Sequence, residues 1–256
     1  MNDPELLYQT DKNVAWLTIN REARRNSISP QIITLLGEYL DKAEADDDVR
    51  VLAITGAGPK VFCSGADLSG ATMTETNTAF QQYADLLKRI SAFPKPTLAK
   101  VNGHCLAGGT GIMLACDIVI AADTATFGTP EVNVGLFPLM IGALIFRNTP
   151  RKKAMEMILL GERLNAAKAL DMGMLTRVVS QSQLDEEVNE VLAKLTVKSP
   201  IGMRIGKQAF DHVKDMPLEQ ALDHLAAQLG VVAATEDARE GIMAFLEKRI
   251  PRFKGK

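Results

Sequence analysis

The chain has 256 residues, 46% hydrophobic and 23% charged, with a formal net charge of −2. That length can bury a substantial core, and the balanced charge argues against nucleic acid and for small-molecule or protein partners. The opening "MNDPELLYQTDK" lacks the basic and apolar regions of a secretory signal, and no apolar run approaches the roughly 18 residues of a membrane span. A cytosolic chain is expected, or one in a matrix-like compartment if a presequence has been trimmed.

"LLYQT" and "VAWLTINR" around "DKN" predict two strands and a tight turn. Ser29 as cap, Pro30 at the first helical position and Ile32, Ile33, Leu36 and Leu40 at helical spacing predict a helix that ends at "DDD". "VRVLAITGAG" reads as a buried strand, "TNTAFQQYADLLKRISAF" as a helix stopped by "PKP", "TLAKVNG" as a strand, and "DIVIAAD" as another strand after a glycine-rich loop and helix. This alternation predicts an α/β core. From about residue 145 the pattern turns mostly helical around one strand, "LTRVV", and past "KSP" it is helical nearly to the end. The expected division is a core over 1–198 and a helical oligomerisation region over 199–256, whose apolar faces need a core of their own or another subunit.

Cys63, Cys105 and Cys116 lie among apolar neighbours without C-x-x-C spacing and read as buried thiols; His104, His212 and His224 form no H-x-x-x-H pair, and no metal site is expected. "GAGPKV" at 56–61 has Val61 where a dinucleotide fingerprint needs glycine, "IGKQ" at 205–208 lacks the rest of a P-loop, and no serine sits in G-x-S-x-G. Hydride transfer, nucleotide hydrolysis and serine hydrolysis thus lose their usual motifs.

Two loops remain. "FCSGADL" at 62–68 and "LAGG" at 106–109 each follow a strand, and such loops commonly share the edge of an α/β layer where ligands bind. Gly108 and Gly109 open a helix whose first amides have no acceptor, which suits an anionic oxygen; a second amide from "SGAD" completes a two-donor oxyanion hole.

"NREARRNSIS", "VFCSGADL", "VNGHCLAGGTGIMLACDIVIAADTATFGTPEVNVGLFP", "GERLNAAKALDMGMLTRVV" and "GIMAFLEKRIPRFKG" together resemble, in order and spacing, the enoyl-CoA hydratase/isomerase (crotonase) superfamily. The resemblance implies that superfamily's α/β fold, with a stacked ββα-type core and a C-terminal helical trimerisation region. It also implies that the amides of Ala66 and Gly108 hold a thioester carbonyl. Arg24, Arg25, Ser64, Asp67 and Leu68 would line the CoA channel, with Ser64 and Leu68 near the adenine. Phe245 and Lys248 would reach a neighbouring subunit's CoA, in a trimer or a dimer of trimers. CoA is then part of the substrate, and no cofactor is implied.

Hydratases of the superfamily use two glutamates; the later one matches Glu131, and the earlier one aligns with Gly111, which would enlarge the pocket. One carboxylate suffices to move a proton between two carbons, so isomerase-like chemistry is favoured, with hydration by Glu131 alone and a non-catalytic CoA-thioester binder as the alternatives. Leu139 and Met140 follow Pro138 where the superfamily's dehalogenases and dienoyl-CoA isomerases carry an aspartate. The apolar "GLFPLMIGALIFRN" implies an apolar acyl pocket that desolvates Glu131 and raises its pKa.

Overall fold

A computed structural model describes residues 3–67 and 73–256, and the side chains from residue 78 onward in the second segment. In chain order the elements are β1 (Leu6–Asp11), β2 (Val14–Ile19), α1 (Pro30–Ala45), β3 (Val51–Gly56), β4 (Val61–Cys63), α2 (Met73–Ser91), β5 (Thr97–Val101), β6 (His104–Leu106), α3 (Gly108–Leu114), β7 (Ile118–Ala122) and β8 (Thr126–Gly128). There follow α4 (Leu139–Asn148), α5 (Arg151–Leu160), β9 (Leu164–Asn165), α6 (Ala166–Asp171), β10 (Arg177–Val179), α7 (Leu184–Thr196), α8 (Pro200–Val213), α9 (Leu218–Ala233) and α10 (Glu236–Leu246).

A six-stranded sheet runs in the order β1-β2-β3-β5-β7-β10, parallel apart from the β1–β2 hairpin. Lys12 and Asn13 both take positive φ in the hairpin's two-residue turn, the geometry that matches the twist of the flanking strands. β3 is buried at every position, as befits a strand covered on both faces. Its alternate side chains divide accordingly: Val51 and Ala53 meet Leu184, Val188, Val191 and Leu192 of α7, whereas Leu52 and Ile54 join the larger core on the opposite face. On that face α1 begins as its sequence predicts, with the Ser29 hydroxyl accepting from Ile32 N at 3.1 Å and Pro30 in the first turn, and buries Ile32, Leu36, Leu40 and Ala43.

A second sheet, β4-β6-β8-β9, was not legible as such in the sequence. β4, β6 and β8 are mutually parallel, and β9 runs antiparallel to β8. The chain passes from β3 to β4, and from β5 to β6, through bends tight enough that a Cβ at Gly56 would lie 2.3 Å from the Phe62 carbonyl oxygen. Two buried asparagines hold the first of these bends. Asn26 donates to the carbonyls of Ala57 (3.0 Å) and Val61 (2.7 Å), and Asn102 donates to that of Gly56 at 2.9 Å.

The C-terminal helices form a separate layer in which α8 packs on α9 and α10 contacts both. It is tied to the core where Lys207 of α8 donates to the Asp117 carboxylate at 2.5 Å; that carboxylate also accepts from the amide (2.7 Å) and hydroxyl (2.9 Å) of Thr97. Asp117 is therefore structural, as its position beside Cys116 suggests. α9 buries no residue completely, and Phe210, Leu222, Leu229, Ile242, Phe245 and Leu246 stand exposed. Among the described residues no helix is long and apolar enough to cross a membrane.

Candidate active site

Because β4, β6 and β8 are adjacent and parallel, the segments that leave their carboxyl ends share one edge. These segments carry Ser64–Asp67, Ala107–Gly108 and Thr129–Glu131. The sequence reading placed two of these loops together; the structure shows that short second-sheet strands launch them, and it adds the third.

The 64–67 segment is drawn alongside residues 25–28 by three backbone bonds: Ser64 N to Arg25 O (3.2 Å), Ile28 N to Gly65 O (2.8 Å) and Asp67 N to Ile28 O (2.9 Å). The last two bracket Ala66 in a parallel bridge to Ile28, which turns the N–H of Ala66 away from Ile28. Gly108 is the first residue of α3 and has no acceptor within the helix. Among the described residues neither amide donates to another group of the chain. The two loops touch: a Cβ at Gly65 would lie 3.2 Å from Gly108 N and 2.6 Å from the Ala107 Cβ, and Gly65 itself has φ +95°. Only glycine fits there. Gly109 allows a further close approach, since a Cβ on it would sit 2.5 Å from the Cys63 carbonyl oxygen.

Glu131 lies in a single 3-10 turn, Pro130–Val134, just past β8. Its Oε2 is buried and has no hydrogen-bond partner among the described residues. Burial raises the carboxyl above its ordinary value of 4.5, opposed only by its own backbone amide. This is the direction that the apolar sequence around it predicts.

Gly111 does not enlarge the pocket. A Cβ there would meet Ile141 Cγ2 at 2.5 Å and the Tyr83 hydroxyl oxygen at 2.6 Å, so α4 and α2 already fill the space. The sequence reading passed over Tyr83, which is 7% exposed and donates its hydroxyl hydrogen to the Gly108 carbonyl. On an amphipathic helix a tyrosine at a core position reads as packing, and its partner is 25 residues away. Burial first, then the neighbouring Cys63 and Cys105 thiols and the Glu131 carboxylate, push the phenol well above its ordinary value.

The remaining expected residues scatter. Asp67 is engaged by Arg21, whose guanidinium lies 2.9 Å from it and 3.0 Å from Glu5, so its carboxylate anchors the loop. Arg21 was not among the expected residues, although it heads the same "REARRN" motif. Arg24 and Arg25 are exposed beside that loop and Ser64 is half-buried within it, while Leu68 lies outside the described residues. Leu139 opens α4 but is 76% exposed, so in the single chain it stands on the surface. Phe245 is 82% exposed on α10 and Lys248 follows that helix with φ +55°, both in the C-terminal layer. Cys63, Cys105 and Cys116 are free and buried, and burial holds the Cys63 and Cys116 thiols up at about 12. His104 bonds Thr126 at 2.8 Å, whereas His212 and His224 stack on each other across α8 and α9 with ring centroids 4.6 Å apart. No group of three or more potential metal ligands gathers among the described residues.

Comparison with known proteins bears on this geometry. The sequence model of the enoyl-CoA hydratase/isomerase family matches residues 9–256. The chain is 35% identical over 251 residues to an (E)-benzylidenesuccinyl-CoA hydratase of Thauera aromatica, covering 96% of this chain and 98% of that protein. It is 34% identical over 259 residues to a 1,2-epoxyphenylacetyl-CoA isomerase of Escherichia coli K12, covering 98% of each. The crystal structure of an enoyl-CoA hydratase from Bacillus anthracis superposes with a TM-score of 0.95 at 31% identity, covering 98% of this chain and 100% of that one.

Proposed function

Because this chain belongs to the enoyl-CoA hydratase/isomerase family, we propose that it is an enzyme of isomerase-like chemistry on an enoyl-CoA thioester, with Glu131 as its single proton-transfer group. The observation that carries this reading is the pair of unengaged amides, Ala66 and Gly108, on the same sheet edge as a desolvated carboxylate whose Oε2 has no hydrogen-bond partner among the described residues. Two N–H donors converging on a thioester oxygen stabilise the charge that develops there when a proton leaves the adjacent carbon. With a 3-enoyl thioester, the Glu131 carboxylate takes a proton from C2 and the electron pair moves onto the thioester oxygen. Glu131 then returns the proton to C4 as the carbonyl re-forms, leaving the double bond between C2 and C3. A pKa raised by burial brings the carboxylate nearer the carbon acid in proton affinity.

Hydration is the second reading, favoured by the Tyr83 oxygen beside Gly111, in the space where a second acid would project. Arg24, Arg25 and Ser64 flank the loop and suit the CoA portion, and no separate cofactor is called for. The exposed apolar faces of α8–α10, within the 199–256 region, support self-association as a trimer or a dimer of trimers that brings Phe245 and Lys248 toward a neighbour's CoA. The deciding experiment incubates the protein with crotonyl-CoA and with a 3-enoyl-CoA, following conjugated-enoyl absorbance and product mass. Conjugation gained from the 3-enoyl substrate without a mass change supports isomerisation, and a gain of one water from crotonyl-CoA supports hydration. Binding with neither change points to a different acyl group as the substrate or to a CoA-thioester binder without turnover, and removes both readings for these two substrates.

A further inference from the structure

Tyr83 Oη has an unusual setting. It lies where it would be 2.6 Å from a Cβ on Gly111 and 3.4 Å from a Cβ on Gly108, so it flanks the backbone that offers an amide to the thioester oxygen. Its hydrogen is committed to the Gly108 carbonyl, which fixes the hydroxyl's orientation and leaves its lone pairs facing elsewhere. Among the described residues nothing donates to it. Glu131 Oε2 and Thr129 Oγ1 are likewise buried without a partner among the described residues, and the Glu131 carboxylate is near enough to act on the Tyr83 phenol through space. The site thus pairs a buried phenol oxygen and a buried carboxylate oxygen, both with open acceptor capacity, with a set of amide donors. Water is the small molecule that such a pair can hold, because each of its hydrogens needs an acceptor.

We propose that Tyr83 is a catalytic residue for hydration, its oxygen and the Glu131 carboxylate each accepting one hydrogen of the attacking water so that the water's lone pair is aimed at C3 of a 2-enoyl thioester. This rests on the hydration reading above. In the step, the water oxygen bonds to C3 while one of its O–H bonds breaks toward Glu131. The C2–C3 electron pair moves onto the thioester oxygen held by Ala66 and Gly108. The proton on Glu131 then passes to C2, giving a 3-hydroxyacyl thioester and the original carboxylate. Tyr83 keeps its own hydrogen throughout, consistent with a phenol that burial keeps neutral. Isomerisation needs no water, so it depends on Tyr83 far less.

The test compares the wild-type protein with Tyr83→Phe, which keeps the ring and removes the hydroxyl, both the acceptor and the hydrogen bond to the Gly108 carbonyl. Hydration of crotonyl-CoA and isomerisation of a 3-enoyl-CoA are measured side by side, with KM and kcat separated. The hydration-to-isomerisation ratio is expected to fall on the order of 30-fold, through kcat, as fits loss of one hydrogen bond to a reacting water. A merely structural tyrosine would lower both rates together and leave the ratio unmoved, which overturns the proposal. If Tyr83→Phe folds poorly by circular dichroism, 3-fluorotyrosine at position 83, a weaker acceptor in nearly the same volume, is expected to lower the same ratio by severalfold. A wild-type protein that isomerises but does not hydrate overturns this inference and leaves the isomerase reading intact. One that does neither overturns both.

Discussion

At the scale of single residues, Glu131 carries the clearest consequences, because its surroundings act on stability and on chemistry in opposite directions. A carboxyl whose folded pKa lies above its unfolded one costs stability whenever the pH keeps it charged, and the cost fades as pH falls through the raised value. Glu131→Gln is therefore expected to raise Tm at neutral pH. The same substitution is expected to lower turnover by about 10² to 10⁴, the usual worth of a positioned proton-transfer group. Wild-type kcat/KM should rise with pH along a limb centred above 4.5, and that limb should be absent from the residual activity of Glu131→Gln. A variant that loses activity without gaining Tm would show that Glu131 is paired in solution. Asp67 makes a contrasting case, since its carboxylate is committed to Arg21 in a largely buried pair. Arg21→Met is expected to destabilise by about 1–3 kcal/mol in denaturant unfolding, by breaking the ion pair that ties Asp67 to Arg21 and loosening the loop that presents Ala66.

At the scale of elements, the site depends on how closely α3 approaches its neighbours. Gly111→Ala forces a methyl against Ile141 and Tyr83 and is expected to cost about 1–3 kcal/mol, recovered in part by Ile141→Val. Equal unfolding midpoints for Gly111→Ala and wild type would contradict that packing. The sequence made much of this visible and left specific parts hidden. The long strands, the Ser29–Pro30 helix start and the two glycine-bearing loops were readable because each has a local cause: a run of apolar residues, a cap, a turn residue. β4, β6, β8 and β9 span two or three residues each, too few for any periodicity to register, and they exist only because they pair with one another. α4 reads as an apolar run without a side-chain cap, Pro138 standing at its entrance. Tyr83 and Asn102 were hidden for another reason: their meaning lies in partners that distant segments supply.

At the scale of the whole molecule, the C-terminal layer leaves Ile242, Phe245 and Leu246 uncovered along α10, and a run of exposed apolar side chains of this kind suits a contact surface. Sedimentation should report a multiple of three chains, and Leu246→Asp should shift the distribution toward the single chain at low concentration; a monomeric wild type would refute the assembly reading. Loss of CoA-thioester affinity alongside that shift is the expected sign that a neighbour contributes to the pocket. A separate consequence follows from the two loops that meet at Gly65 and Gly108. What they present to a ligand is main chain, and every residue except proline carries the same N–H. In a saturation survey of tolerated substitutions, Ala66 should look permissive to all but proline. Gly65 and Gly109, which touch no substrate atom in the reading above, should look intolerant of any side chain, one for its φ of +95° and the other for the Cys63 carbonyl 2.5 Å from its would-be Cβ. The outline of such a map would trace the scaffolding around the reactive centre and leave a donor position nearly blank.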